Sequence, residues 1–124
     1  MLRPDFIGAR KEKMNQAQNK IETFADLING EKPVLVDFTA EWCGPCKMMK
    51  PVLEELHEKM PNDIRIIKVD IDRSPQASAF YNVNSVPTLI LFQKGNILWR
   101  QSGVIPAASL QKIINQFISQ NNAT

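Results

Sequence analysis

The chain has 124 residues, of which 44% are hydrophobic and 23% charged, and this composition predicts one globular domain with a single core. Its formal net charge of +2 comes from residues 1–20, where five basic residues outnumber two acidic ones, so we expect neither nucleic acid nor a membrane as a partner. No apolar run approaches the ~20 residues that span a bilayer, and the first residues lack the apolar stretch of a secretory signal, which favours a cytoplasmic protein.

The first predicted element is a short helix that begins near residue 23. Thr23 and Asp26 form a pattern typical of an N-terminal cap, and Gly30 predicts the end of the helix after about Ile28. Apolar residues at helical spacing favour a helical start even before residue 20 (Met14, Ala17, Ile21, Phe24, Ile28). We therefore divide the chain into an N-terminal extension, residues 1–20, and one domain, residues 21–124.

Two predicted strands flank the longest predicted helix. Residues 34–39 form a nearly continuous apolar run, which is typical of a strand covered by helices on both faces, and residues 64–70 predict a second strand. Pro51 predicts a kink in the helix, because proline cannot donate to the preceding turn. The segment between the strands is long enough for a crossover, so the strands should be parallel and their connection right-handed. The helix carries an apolar stripe (Met49, Val52, Leu53, Leu56, Met60).

The second half of the chain predicts a short helix, a hairpin and a C-terminal amphipathic helix. Ser74 is expected to cap the short helix, with Pro75 at its first position and its end near Tyr81. Residues 88–92 and 97–101 are the predicted strands of the hairpin. The fold class is therefore α/β, with three layers in which helices cover both faces of a central mixed β-sheet.

The only two cysteines, Cys43 and Cys46, follow the first strand and lie where the long helix begins. A crosslink between residues this close closes almost no loop, so the pair has little expected role in stability. Unpaired N–H groups and the helix dipole should stabilise a thiolate at Cys43, which we expect to be exposed, while one helical turn brings Cys46 beneath it. Gly44 and Pro45 suit the tight turn between them. This spacing predicts a redox pair.

Half of a zinc or iron–sulfur site is the main alternative for two cysteines at this spacing. Zinc takes four ligands, and beyond the two cysteines the chain offers one histidine, His57, over two turns further along the helix. Two chains would have to share such a site. We therefore expect no metal and interpret His57 as a surface or half-buried helix residue.

Asp37 interrupts the first apolar strand six residues before Cys43. Burial should raise the pKa of its carboxyl, because desolvation disfavours the charged form, and the group can then carry a proton to and from a nearby thiol. A carboxylate satisfied by backbone groups or by a lysine is the alternative. Lys68, in the second strand, is a candidate charge partner that would oppose part of the pKa shift.

Taken together, these residues resemble the thioredoxin family from about Ile21 to Phe117. The sequence Trp42-Cys43-Gly44-Pro45-Cys46-Lys47 is similar to the active-site motif of the family. Two positions depart from it: Thr39 stands where bacterial members often carry an aromatic residue, and the first strand of the family, expected near residues 15–22, is poorly marked. Other matching positions are the buried aspartate, the kinking proline, the buried lysine, the loop with a cis proline, the hairpin glycine and the groove glycine (Asp37, Pro51, Lys68, Val86-Pro87-Thr88, Gly95, Gly103).

The resemblance implies a thioredoxin fold and a protein-disulfide reductase in which Cys43 attacks the substrate and Cys46 resolves the mixed disulfide. It further implies that Pro87 follows a cis peptide bond and that the backbone of Val86 pairs with an extended substrate segment, bordered by Trp42 and Gly103. Electrons would come from an NADPH-dependent thioredoxin reductase. The chain itself is expected to bind no cofactor and to act as a monomer on protein disulfides.

Two other functions fit the same fold. An oxidase or isomerase would work in an oxidising compartment, but Gly-Pro between the cysteines, a buried Asp37 and the missing signal sequence argue against it. A structural subunit or holdase would use only the docking surface. Such a module has no need to retain both cysteines, Asp37 and Pro87.

Overall fold

The computed structural model describes residues 23–122, with side chains described as far as Ser119. The expected helical start before residue 20, the domain boundary at residue 20 and the strand expected near residues 15–22 all lie outside the described residues. In chain order the elements are α1 (Phe24–Ile28), β1 (Val34–Thr39), α2 (Gly44–Lys59), β2 (Arg65–Asp70), α3 (Pro75–Phe80), β3 (Thr88–Gln93), β4 (Asn96–Ser102) and α4 (Ala107–Asn122). Over the described range, no helix has the length and apolar character needed to cross a bilayer.

The four described strands form one mixed sheet in the order β2-β1-β3-β4. β1 pairs in parallel with β2, from Val34 opposite Arg65 to Thr39 opposite Asp70, while β3 is antiparallel to both β1 and β4. The predicted parallel pair and the predicted hairpin are both confirmed. β1 is an inner strand, and the site residues follow its carboxyl end.

Helices cover both faces of this sheet, which confirms the three-layer α/β fold. On one face Leu35, Leu89 and Leu91 pack in a cluster with α2 and α4, through residues such as Met49 and Leu110. On the other face a second cluster joins alternate strand residues to α1 and α3 (Val36, Phe38, Ile90, Leu27, Ala77). Because side chains alternate along a strand, Asp37 lies on the same face as Leu35 and is directed towards the α2 layer.

Reciprocal hydrogen bonds cap α1 as predicted. The Thr23 hydroxyl accepts from the Asp26 N–H at 3.1 Å, and the Asp26 carboxylate accepts from the Thr23 N–H at 3.1 Å. The β3–β4 turn then holds the other end of this helix, because the N–H of Lys94 donates to the Gly30 carbonyl and that of Gly95 to the Ile28 carbonyl. The hairpin is thus anchored to α1.

Ser74 does not cap α3 through its side chain, and this expectation was wrong. The residue occupies the cap position, and Pro75 is the first residue of the helix, but ψ is 61° instead of an extended value, so the hydroxyl does not meet the helix N–H groups. Its Oγ is buried without a hydrogen bond in the described part of the chain. Backbone contacts hold the start of α3 instead, including Ser74 N–H to the Asp70 carbonyl at 2.8 Å. Pro51 lies inside α2, and the kink expected there stays a prediction.

Candidate active site

Cys43 and Cys46 lie together at the N-terminus of α2 and are joined by a disulfide bond, with their Cα atoms 5.3 Å apart. Cys43 is the N-cap residue, and its N–H donates to the Ala40 carbonyl at 3.2 Å, which turns the chain after β1. Gly44, Pro45 and Lys47 belong to the first helical turn and are exposed. The predicted pairing of Cys43 with Cys46 is therefore confirmed.

The Cys43 sulfur lies over the N-terminus of the helix. The backbone N–H of Cys46 donates to Cys43 Sγ at 3.1 Å, so the sulfur occupies the position that a capping oxygen takes in other helices. When the pair is reduced, this N–H and the helix dipole stabilise negative charge on Cys43. The geometry thus favours a nucleophilic thiolate at the first cysteine.

Neither cysteine is exposed in this oxidised form. Cys43 is 4% exposed and Cys46 6%, so the expectation that Cys43 is the exposed partner was wrong. The physical reason is apolar packing, because the pair forms a small cluster with Ala40 and is covered by Ile71 and Val86. Electrostatics and helix position, instead of exposure, distinguish the two sulfurs.

The loop that faces the cysteines has the cis peptide bond that the resemblance implies, between Val86 and Pro87. The Val86 carbonyl oxygen lies 3.6 Å from Cys43 Sγ. Gly103 donates its N–H to the Pro87 carbonyl at 2.9 Å, with φ of +99°, and a Cβ built there would meet nothing within 4 Å. The structure therefore brings Val86, Pro87 and Gly103 together beside the disulfide, with open space at the glycine.

Trp42 is 69% exposed and is held by a residue that the sequence analysis missed. Its Nε1–H donates to the Asp72 carboxylate at 2.8 Å. A weaker contact joins two neighbouring residues. The guanidinium of Arg73, which follows Asp72, lies 3.7 Å from the carboxylate of Glu41, which precedes Trp42. The parallel pairing of β1 and β2 was the available signal, because it places the segments after both strands at the same edge of the sheet.

Asp37 and Lys68 are opposite each other in the register of β1 and β2. The aspartate is 1% exposed, and its Oδ1 has no hydrogen-bond partner among the described residues. Burial raises the pKa of this carboxyl from the ordinary 3.8 to about 6, and the charge of Lys68 opposes part of the rise. The predicted direction of the shift and the predicted partner are both confirmed.

A surface pocket of about 340 Å³ opens beside the first turn of α2. Cys46 and Lys68 both line it, so it connects the second cysteine with the residue opposite Asp37. Its other lining residues include both acids and lysines (Glu41, Lys47, Lys50, Asp70). The pocket gives solvent a route to the α2 side of the pair.

The described residues contain no cluster of three or more His, Cys, Asp or Glu side chains that could hold a metal ion. His57, on the exposed surface of α2, is not part of the cysteine cluster. Zinc takes four ligands, and the part of the chain that the structure describes brings two donors, Cys43 and Cys46, together at this point.

Known proteins are similar to this chain in sequence and in fold. Residues 15–116 match the thioredoxin family model. The thioredoxin of Chlamydia trachomatis is 50% identical over 95 residues, which are 77% of this chain and 91% of that protein. A bifunctional thioredoxin reductase/thioredoxin of Mycobacterium leprae is 42% identical over 99 residues, 80% of this chain and 22% of that protein. The crystal structure of oxidized mitochondrial thioredoxin 3 from Saccharomyces cerevisiae superposes with a TM-score of 0.67 at 37% identity, covering 74% of this chain and 86% of that one.

These matches agree with the geometry of the site. The family match includes β1, the cysteine pair and the hairpin, and the curated relative from Chlamydia is matched over nearly its full length. The Cys43–Cys46 disulfide occupies the position at which a thiol–disulfide exchanger needs it, at a helix N-terminus beside a cis proline loop. The chain therefore belongs to the thioredoxin family and is a thiol–disulfide oxidoreductase that works by dithiol–disulfide exchange.

Proposed function

We propose that this oxidoreductase reduces disulfide bonds in other proteins, with Cys43 as the attacking thiolate and Cys46 as the resolving thiol. The observation that carries the assignment is the hydrogen bond from the Cys46 N–H to Cys43 Sγ, at 3.1 Å. A thiolate at Cys43 is stabilised by that donor and by the helix dipole. Cys46 lies within the first turn and lines the pocket, but it lacks the capping position.

The exchange proceeds in two displacement steps. The Cys43 thiolate attacks one sulfur of the substrate disulfide, a mixed disulfide forms, and the other substrate sulfur leaves as a thiolate. Cys46 then loses its proton and attacks Cys43 Sγ, which releases the first substrate sulfur as a second thiolate. Two electrons have passed from the cysteine pair to the substrate, the substrate thiolates take up protons, and the Cys43–Cys46 disulfide remains.

We assign Asp37 as the group that accepts the proton of Cys46. A carboxyl with a pKa of about 6 exchanges protons readily near neutral pH, which an exposed aspartate does not. The pocket is lined by Cys46 and by Lys68, the residue opposite Asp37, and it has room for several water molecules on this side of the sheet. Lys68 supports this role by keeping the pKa of Asp37 from rising further.

We assign the surface around the disulfide to substrate docking. Trp42 is exposed beside the cysteines, Val86 and Pro87 present backbone next to Cys43, and Gly103 leaves space at the edge. An extended substrate segment fits this surface because a strand needs backbone partners and room for its own side chains. Gly44 and Pro45 form the turn between the sulfurs, Lys47 follows Cys46 in the first turn of α2, and Pro51 lies further along the same helix.

We propose an NADPH-dependent thioredoxin reductase as the electron donor. The Mycobacterium leprae relative is named as a bifunctional thioredoxin reductase/thioredoxin, which supports such a partner for a chain of this family. A reductase cycle requires a compartment that keeps thiols reduced, and we therefore keep the cytoplasm as the proposed location. The chain is proposed to act as a monomer, because the docking surface is assembled from one protomer, and to carry no bound cofactor.

The test is reduction of insulin disulfides, with NADPH and a bacterial thioredoxin reductase supplying the electrons. We expect NADPH oxidation that depends on this chain and is lost in Cys43→Ser. Activity with dithiothreitol but not with the reductase would reject the proposed donor and leave the exchange chemistry in place. A reduction potential far above the value near −270 mV that is expected for a thioredoxin would instead favour an oxidase or isomerase.

A further inference from the structure

Two side chains of β4 hold the segment that leads from α3 to Pro87. The Arg100 guanidinium donates to the backbone carbonyls of Tyr81 and Asn82, the second at 2.6 Å. Ser102 Oγ lies 2.8 Å from Thr88 Oγ1 and accepts from the Ser85 hydroxyl at 3.4 Å. Because Arg100 and Ser102 are two residues apart on one strand, both project from the same face.

The segment they hold carries the backbone that faces the cysteines. It leaves α3 at Asn82 with φ of +55°, and it ends with the Val86 carbonyl 3.6 Å from Cys43 Sγ. The carbonyls at a helix C-terminus lack helical partners, and a guanidinium satisfies two of them at once while complementing the helix dipole. Arg100 therefore fixes the start of the segment, and the Ser102 hydroxyl fixes its end.

A third hydrogen bond links the Thr88 hydroxyl, which contacts Ser102, to the turn before Pro87. Thr88 Oγ1 donates to the Ser85 carbonyl at 2.7 Å, and Thr88 is fully buried. Ser102 is thus part of a small hydroxyl network around Ser85 that lies directly before Val86. The hydrogen bonds of these hydroxyls and of Arg100 do not reach either cysteine, so their effect on exchange is indirect.

We propose that Arg100 and Ser102 are positioning residues for substrate docking. They hold the Val86 backbone in the position where a substrate segment pairs with it. This inference rests on the proposed function, because it assumes that protein substrates dock on Val86. Arg100 and Ser102 are exposed, so their bonds contribute little to the stability of the domain. Their effect is on the geometry of one loop.

The experiment compares two substrates in four variants. Arg100→Gln and Ser102→Ala remove the two links, Ser102→Thr retains the hydroxyl, and Gln101→Ala is the matched control, since Gln101 is exposed on the same strand but projects from the other face. Insulin is the protein substrate. The small disulfide 5,5′-dithiobis(2-nitrobenzoic acid), which reacts with the reduced pair without pairing to Val86, reports the chemistry alone. Urea unfolding and amide hydrogen exchange over residues 82–86 are measured on every variant.

We expect Arg100→Gln and Ser102→Ala to raise KM for insulin by about three- to tenfold, because a displaced docking loop weakens orientation of the substrate. kcat and the rate with the small disulfide should stay close to wild type. Hydrogen exchange over residues 82–86 should accelerate in both variants, while Ser102→Thr and Gln101→Ala behave like wild type.

Equal losses on both substrates, or unchanged KM in both link-removing variants, would overturn the positioning role. If wild type itself fails to reduce insulin, the proposed function is wrong. In that case hydrogen exchange still tests the claim that Arg100 and Ser102 hold the segment before Pro87. Unchanged exchange over residues 82–86 in Arg100→Gln and Ser102→Ala would overturn that claim as well.

Discussion

Asp37 and Lys68 lie opposite each other on the parallel strands β1 and β2, yet the lysine offsets only part of the cost of burying the aspartate. Asp37 is 1% exposed, whereas Lys68 is half-buried and borders a solvent pocket. The carboxyl is therefore desolvated more than it is neutralised, and its pKa rises to about 6. The protein keeps an ionisable group at a position where burial penalises its charged form.

Asp37→Asn should stabilise the protein in a pH-dependent way. The pKa of Asp37 is raised in the folded state, so its favourable contribution is complete below about pH 4 and is lost as pH rises through about 6. The difference in the free energy of unfolding between the variant and wild type should shift in favour of the variant by about 2–3 kcal/mol from about pH 4 to about pH 8. Urea unfolding at both pH values measures this. Glu54→Gln, which removes an exposed carboxylate of α2, is the control and should show no such dependence.

The same substitution should slow only the second chemical step. Cys43 attack depends on the helix N-terminus and should change little, whereas deprotonation of Cys46 loses its base. We expect resolution of the mixed disulfide to slow by about 10- to 100-fold, since solvent replaces part of the general-base assistance. Rapid acid quenching followed by mass spectrometry separates the two steps. A slower first step with an unchanged second step would make Asp37 a structural residue.

The cysteine pair and the strands around it were predictable because local sequence determines them. A mostly apolar run of six residues forms β1, and Cys43 and Cys46 are one helical turn apart. Gly95 marks the turn of the hairpin, where its φ of +81° favours glycine. The predicted partner of Asp37 was also correct, since it follows from aligning two parallel strands. In each case the pattern and the physical constraint lie within a few residues or in one strand pairing.

Contacts that depend on exact backbone angles or on distant elements were not predictable. Ser74 has the residue type of a cap, but its ψ of 61° removes the cap bond. Asp72 binds Trp42 across 30 positions of sequence, and Arg100 reaches the end of α3 across 18 or 19. The burial of Cys43 under Val86 likewise results from the folded loop. Such contacts require the assembled fold.

Asp72→Ala should release Trp42 and weaken docking. The indole N–H loses its acceptor at 2.8 Å, so the exposed ring gains rotational freedom. We expect kcat/KM for insulin to fall by about two- to fivefold, because ordering the side chain then costs entropy on binding. Acrylamide quenching of Trp42 fluorescence, in a Trp99→Phe background, reports the release. Asp72→Asn keeps a carbonyl acceptor, so its quenching constant and its kcat/KM should lie between those of wild type and Asp72→Ala. An unchanged quenching constant in Asp72→Ala would contradict the account.

Gly95→Ala should destabilise the hairpin, because Gly95 has φ of +81° and an added Cβ would come within 2.3 Å of Asn29 Oδ1. The Asn29 side chain can move away, so the main cost is the left-handed backbone, about 1–2 kcal/mol. Gly30→Ala is the control, because an added Cβ there has its nearest neighbour at 4.0 Å. Urea unfolding should show a clear loss for Gly95→Ala only, and equal stability of the two variants would refute the turn argument.

The central claim, that Cys43 attacks the substrate and Cys46 resolves the intermediate, is tested most directly by trapping. Reduced Cys46→Ser is mixed with insulin, free thiols are alkylated, and the products are digested and read by mass spectrometry. The account predicts a stable mixed disulfide between Cys43 and an insulin cysteine, and no corresponding adduct at Cys46 in the matched Cys43→Ser variant. An adduct that accumulates at Cys46 in Cys43→Ser, with none at Cys43 in Cys46→Ser, would contradict the assignment.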